Sequence, residues 1–121
     1  MKIWKTLINI VLVVTFGTLG LYSCKNTSVI TNEAPTAYFE VLPFSTGTAP
    51  HQVTLNSLSF DLDGFIVKYY WNFGDGSSID SVSGEVVNHT FVNAGTYIAE
   101  LEVIDNGDSS DVHRTTIRVT N

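Results

Sequence analysis

Trp71-Asn72-Phe73-Gly74-Asp75-Gly76 joins a strand end to a sharp turn within six residues. In extended backbone, side chains two residues apart share a face, so Trp71 and Phe73 point together and carry a large apolar area into a core. Gly74 and Gly76 let the backbone turn directly after that pair, and Asp75 between them is suited to accept hydrogen bonds from turn amides. Such a strand needs partners, and period-two patterns elsewhere supply them. Tyr97, Ala99, Leu101 and Val103 alternate with Thr96, Ile98, Glu100 and Glu102. The two glutamates must face water, so the first set faces a core. Thr115, Ile117 and Val119 alternate with Thr116 and Arg118, Val53 and Leu55 with Thr54 and Asn56, and Phe39 and Val41 with Glu40. The segments 65–73 and 86–91 are rich in β-branched and aromatic residues.

Turn signals separate these runs: Ser45 to Pro50, Asp61-Leu62-Asp63-Gly64, Gly74-Asp75-Gly76, Asn93-Ala94-Gly95 and Asp105-Asn106-Gly107. Short strands at this spacing predict an all-β, antiparallel sandwich of about seven strands in one domain. Ile66, Tyr69 and Trp71 break strict alternation, because Ile66 and Tyr69 are three apart. If all three point inward, a bulge near Val67-Lys68 is required.

The N-terminus follows a different rule. Met1 to Lys5 carries two positive charges, and Leu7 to Tyr22 is a sixteen-residue run with no ionised group. A basic start, an apolar stretch and a small residue before a cleavage point form a secretory signal. The run is short for a spanning helix, which needs about 20 apolar residues. Leu21-Tyr22-Ser23-Cys24 resembles the bacterial lipobox, with Tyr22 bulkier than usual at its position. The resemblance implies cleavage before Cys24 and a diacylglycerol on its sulfur. Residues 1–23 are then a helical lipoprotein signal, 24–34 the lipidated cysteine and a flexible tether, and 35–121 the domain. The alternative is an uncleaved anchor. Both put the domain across a membrane.

Without residues 1–23 the chain has 98 residues, with 4 Lys and Arg against 12 Asp and Glu, a net charge of −8. Nucleic-acid surfaces need clustered cations, and only Lys25, Lys68, Arg114 and Arg118 remain, so nucleic acid is excluded as a partner. Acidity of this size suits divalent cations. Cys24 is the only cysteine, which rules out an intramolecular disulfide. His51, His89 and His113 show no metal-ligand spacing. No nucleophile elbow and no phosphate loop is present, so no enzyme is expected.

The hexapeptide resembles the Trp-Asp-Phe-Gly-Asp-Gly hallmark of the polycystic kidney disease (PKD) domain family, with Asn72 in place of Asp. Asn32 to Ala37 is similar to the family's leading strand, and Ser59-Phe60-Asp61-Leu62-Asp63-Gly64 to its Ser-x-Asp-x-Asp-Gly loop. His89-Thr90-Phe91 with Gly95-Thr96-Tyr97 resembles its penultimate hairpin, and Leu101 to Gly107 its late strand and turn. The match covers about residues 32–120 and implies an immunoglobulin-like β-sandwich that needs no disulfide. In that family His89 takes a structural place near the Trp strand.

Asp61 and Asp63 flank Leu62 just before Gly64, a spacing that aims two carboxylates into one turn. Some bacterial members of the family bind calcium here, and the resemblance implies Asn32, Asp61, Asp63 and Asp105 as ligands, with a backbone carbonyl near Glu33. Oxygen-only ligation suits Ca²⁺. The same sequences also form turns without any ion. No cofactor is required, and structural Ca²⁺ is the one candidate. Asp75 reads as a turn stabiliser. Tyr70, Phe65 and Phe44 are outward rings that would serve either as a ligand surface or as cover for a neighbouring strand.

These features predict a non-catalytic binding or spacer module, anchored to the bilayer through acylated Cys24 and contacting an envelope protein. The alternative is capture of a surface polysaccharide for a neighbouring hydrolase or transporter. Lys25 is not the aspartate associated with inner-membrane retention, which favours an outer membrane or cell surface.

Overall fold

The computed structural model describes residues 29–77 and 84–121. The signal segment 1–23 and Cys24 lie outside them. Seven strands follow in order: β1 (Phe39–Leu42), β2 (Thr46–Thr48), β3 (His51–Ser57), β4 (Ile66–Asn72), β5 (Val86–Phe91), β6 (Gly95–Asp105) and β7 (Ser110–Thr120). They form two sheets, one ordered β1-β3-β5 and the other β2-β7-β6-β4. Among the described residues no helix is long and apolar enough to cross a membrane.

The alternating runs deliver the core. Phe39, Val53, Leu55, Phe91, Ala99, Leu101, Val103, Ile117 and Val119 are buried between the sheets, and Tyr97 packs against them. Trp71 is wholly buried and meets the Phe39 ring edge-on at 5.2 Å. Its indole Nε1 donates to the Gly84 carbonyl at 3.2 Å, so the one polar atom of the largest core side chain is paired. The core runs from Ala37 to Val119.

Two irregularities shape the sheets. Ile66 pairs with Asp105 and Lys68 with Ile104, leaving Val67 as the extra residue of a bulge where the spacing of Ile66 and Tyr69 requires one. β2 departs from the antiparallel expectation: Thr46–Thr48, within a stretch that reads as a turn, pairs parallel with Arg118–Thr120. The cause lies upstream. Pro43 has no N–H to continue the β1 ladder, and the chain crosses to the other sheet, where the Ser45 carbonyl accepts from the Arg118 N–H at 2.9 Å.

The residues ahead of Pro35 are also held by hydrogen bonds. Asn32 bonds to Asp105 and Glu33 to Asp63, and one compact unit spans Asn32–Asn121.

The hallmark turn is set by its first glycine. Gly74 has φ +76°, and a Cβ there would collide with the Ile98 carbonyl oxygen of β6. Gly76 also has positive φ but open space around it. Gly76→Ala should therefore cost about 1 kcal/mol, the left-handed penalty alone. Gly74→Ala adds a backbone clash and should cost at least about 2–3 kcal/mol. Urea unfolding of the two variants checks this order, and equal losses would refute the clash.

Candidate functional site

The end of the sandwich where the chain enters gathers most of the candidate polar residues around Asp105. Asp105 continues the inward parity of Leu101 and Val103, so its carboxylate is fully buried at the end of β6. Oδ1 accepts from the N–H groups of Gly107 (2.7 Å) and Ser109 (2.9 Å), and Oδ2 from Asn32 Nδ2 (2.8 Å). Burial pushes the Asp105 pKa up, but the bonds from Asn32, Ser109 and Gly107 outweigh it and hold the group below the usual carboxylate range. Asn32 Nδ2 also donates to Ser109 Oγ at 2.9 Å.

The β3–β4 loop folds against this cluster. Glu33 N–H donates to Asp63 Oδ2 at 3.1 Å, and Asp63 N–H to Asp61 Oδ1 at 3.2 Å. Asn106 Oδ1 accepts from the Phe65 N–H at 2.9 Å, and its own N–H donates to the Phe65 carbonyl at 3.0 Å. Asp61 Oδ2 is buried and has no hydrogen-bond partner. A Cβ on Gly64 would collide with Asn106 Oδ1 and stand 2.7 Å from Asp61 Oδ2, so the missing side chain keeps two oxygens near one point.

A buried carboxylate oxygen without a donor is what a hard cation would satisfy. Asp61 Oδ2 and Asn106 Oδ1, which approach one point at Gly64, therefore fit such a cation, with Asp61 Oδ2 the unsatisfied atom; Asp63 and Asn32 are tied to the same end through the Glu33 amide and Asp105. Asp105 fits less directly, since its carboxylate already accepts three hydrogen bonds. Among the described residues no three His, Cys, Asp or Glu side chains form a metal group by themselves, so amide and carbonyl oxygens would have to contribute.

The outward rings do not converge. Tyr70 is half-buried in mid-strand opposite Glu102, Phe44 is 69% exposed in the β1–β2 crossing, and Phe65 is 64% exposed before β4. Ser45 bonds to Arg118, which pairs with Thr96, whereas Phe65 bonds to Asn106. Ten residues of extended chain separate Thr96 from Asn106, about 33 Å. Phe44 and Phe65 therefore lie toward opposite ends of the sheet.

The hallmark lies on the core side of β5. The His89 ring stacks on Phe73 with centroids 3.8 Å apart and planes 5° apart, and meets Phe91 edge-on at 4.8 Å. Its Nε2 sits 2.7 Å from Asp75 Oδ2. Asp75 Oδ1 accepts from both the N–H (3.0 Å) and the hydroxyl (2.6 Å) of Ser77.

A model of the PKD domain matches residues 32–120. The chain belongs to the PKD domain family. A relative, the pre-pro-metalloprotease PrtV of Vibrio cholerae, is 33% identical over 100 residues, covering 81% of this chain. This chain spans only 10% of that protein's length. The crystal structure of the PKD1 domain of that V. cholerae metalloprotease superposes with a TM-score of 0.60 at 33% identity, covering 74% of this chain and all of that one. A structure described as concerning carbohydrate-binding modules of the β-sandwich superfamily reaches 0.69 at 35% identity, covering 75% of this chain and 36% of that one.

Within this PKD domain, sequence reasoning missed Asn106 and the Asp75–His89 pair. Both left a trace. Asn106 follows a residue of inward parity, and His89 shares the inward parity of Val87 and Phe91. Burial acts against ionised Asp75, but the bonds from Ser77 and His89 prevail and lower its pKa from 3.8 to about 2. A depressed carboxylate pKa stabilises the fold fully above the unfolded value and loses that contribution as pH falls through the folded one. Asp75→Asn should thus destabilise the domain at pH 6 and flatten its loss of stability between about pH 4 and 2. Chemical denaturation across that range provides the check. Parallel acid profiles for wild type and variant would exclude the pair as a source of acid sensitivity.

Proposed function

We propose that the chain is a non-catalytic, extracytoplasmic PKD module, tethered to a membrane through acylated Cys24 and acting as a binding and spacer unit for protein contacts at the cell envelope. One observation carries this reading. A PKD domain accounts for residues 32–120, and ahead of it stand a basic start, an apolar run and a cysteine in the order of a lipoprotein leader. Stable attachment needs more than one acyl chain, which a diacylglyceryl cysteine supplies. Lys25 favours an outer membrane or cell surface. The tether from Cys24 to Asn32 keeps the domain near the bilayer, which favours a partner that is itself an envelope protein.

A second reading is capture of a surface polysaccharide, favoured by the likeness to the structure concerned with carbohydrate-binding modules. Since Phe44 and Phe65 lie apart, Tyr70 on the sheet face is the contact to test. Affinity capture from envelope extracts with the full chain should retain a defined envelope protein, and Cys24→Ser should move the chain to the soluble fraction, still folded. Glycan-array binding that disappears in Tyr70→Ala would replace the first reading with the second.

The loop cluster is further proposed to hold a structural Ca²⁺, through Asp61, Asp63, Asn32 and Asn106, with Asp105 holding Asn32 in position. The ion would neutralise the orphaned oxygen of Asp61 and cross-brace the β3–β4 loop to the domain's first residues. Extracellular calcium modules bind at about 10⁻⁴–10⁻³ M. At 1 mM, Ca²⁺ then adds about 0.4–1.4 kcal/mol, or about two to ten degrees in Tm for a domain of this size. Melting curves in calcium and in chelator measure this, and Asp61→Asn should abolish the difference. A Tm indifferent to calcium would leave the cluster as a set of turns.

A further inference from the structure

Where the chain enters the domain, the β3–β4 loop buries an oxygen of Asp61 and leaves its apolar groups outside. Asp61 and Asp63 fold toward the Glu33 amide and the Gly64 corner. Leu62 is left 80% exposed and Phe65 64%, with Phe60 half-exposed just before them. Single exposed apolar residues are ordinary. Three within six residues of one loop form surface that the core does not use.

We propose that this end of the domain rests on the bilayer, with Leu62 and Phe65 seated in the headgroup region as a second, non-covalent membrane contact. The inference depends on the membrane-tether reading above. Its geometric basis is the short path from Cys24 to Asn32, eight residues that reach at most about 28 Å. Asn32 is fixed on Asp105 and Ser109, beside the loop that exposes Leu62 and Phe65. The opposite end also exposes Phe44 and Val92, so exposure does not choose between the ends. The tether does, because the opposite end lies about 33 Å further along β6. Tethering makes docking intramolecular, so a weak contact of two side chains is populated without high intrinsic affinity. Seating apolar side chains at the boundary of headgroups and acyl chains is the usual mode of interfacial attachment. Exposed Asp63 within the loop and Glu33 bonded to it repel anionic lipid, so the matching surface is zwitterionic.

The test is hydrogen exchange of the full chain on vesicles of phosphatidylcholine and phosphatidylethanolamine, against the segment 25–121 free in solution. That segment contains the whole core, and the V. cholerae PKD1 domain was solved as a single domain. Amides of residues 61–65 should exchange several-fold more slowly on the vesicles, while residues 92–94 at the other end stay unchanged. Leu62→Ser with Phe65→Ser, both at exposed positions, should remove the protection without lowering the melting temperature. If the full chain pellets with the vesicles but residues 61–65 exchange at the solution rate, the docking is overturned and the anchor stands. If the full chain does not pellet, the anchor reading fails and the docking with it.

Discussion

A buried carboxylate at the end of β6 fixes how this chain enters its domain. Asp105 sits on the core side of the sheet, where an unsatisfied charge would be costly. Three N–H donors resolve that cost, and between them they constrain two separate parts of the molecule. The Gly107 and Ser109 amides fold the β6–β7 turn, in which Asp108 takes a left-handed φ of 64°. The Asn32 amide closes the set from 73 residues away in sequence. Because Asp105 requires Asn32, the domain starts there, and Glu33 follows it against Asp63. The place where the tether leaves the domain thus follows from satisfying one buried acid.

The strands were legible for a related reason. Glu100 and Glu102 cannot face a core, which settles the parity of β6, and the three-residue step from Ile66 to Tyr69 forces the bulge. Parity alone, however, treats a polar residue on the inward side as the end of a strand. Asp105 and His89 both keep inward parity, and both prove to be buried or half-buried polar groups with specific partners. Their partners are distant in sequence, and local pattern carries no record of them. β2 was illegible for the same cause. Thr46-Gly47-Thr48 resembles a turn locally and becomes a strand only through its parallel pairing with the last residues of β7.

The hallmark hexapeptide acts as a joint between the sheets. Trp71 and Phe73 supply core area, and Gly74 lets the chain pass the β6 backbone at Ile98. Asp75 then meets His89, whose ring lies flat on Phe73. An aromatic stack and a charge-assisted hydrogen bond therefore meet at one histidine of the other sheet. The replacement of the usual Asp by Asn at position 72 is accommodated, because Asn72 Oδ1 accepts from the Gly74 N–H at 3.0 Å. A carboxylate oxygen would serve equally there.

The calcium and membrane proposals have a common structural origin. Drawing Asp61 and Asp63 toward Glu33 and Gly64 concentrates oxygen atoms on the inside of the β3–β4 loop, and the same backbone path leaves Leu62 and Phe65 outside. Neither arrangement requires the other. Yet a cation held by Asp61 would both rigidify the loop and reduce the negative charge around its apolar tip. Coulomb repulsion between this acidic end and lipid phosphates would weaken accordingly. Cation binding and membrane seating would then be linked positively through the charge and order of one short loop, with no movement of the sandwich. The core contributes a rigid frame to that linkage, in which Asp105 and Asn106 hold the chain's first residues and the loop in register.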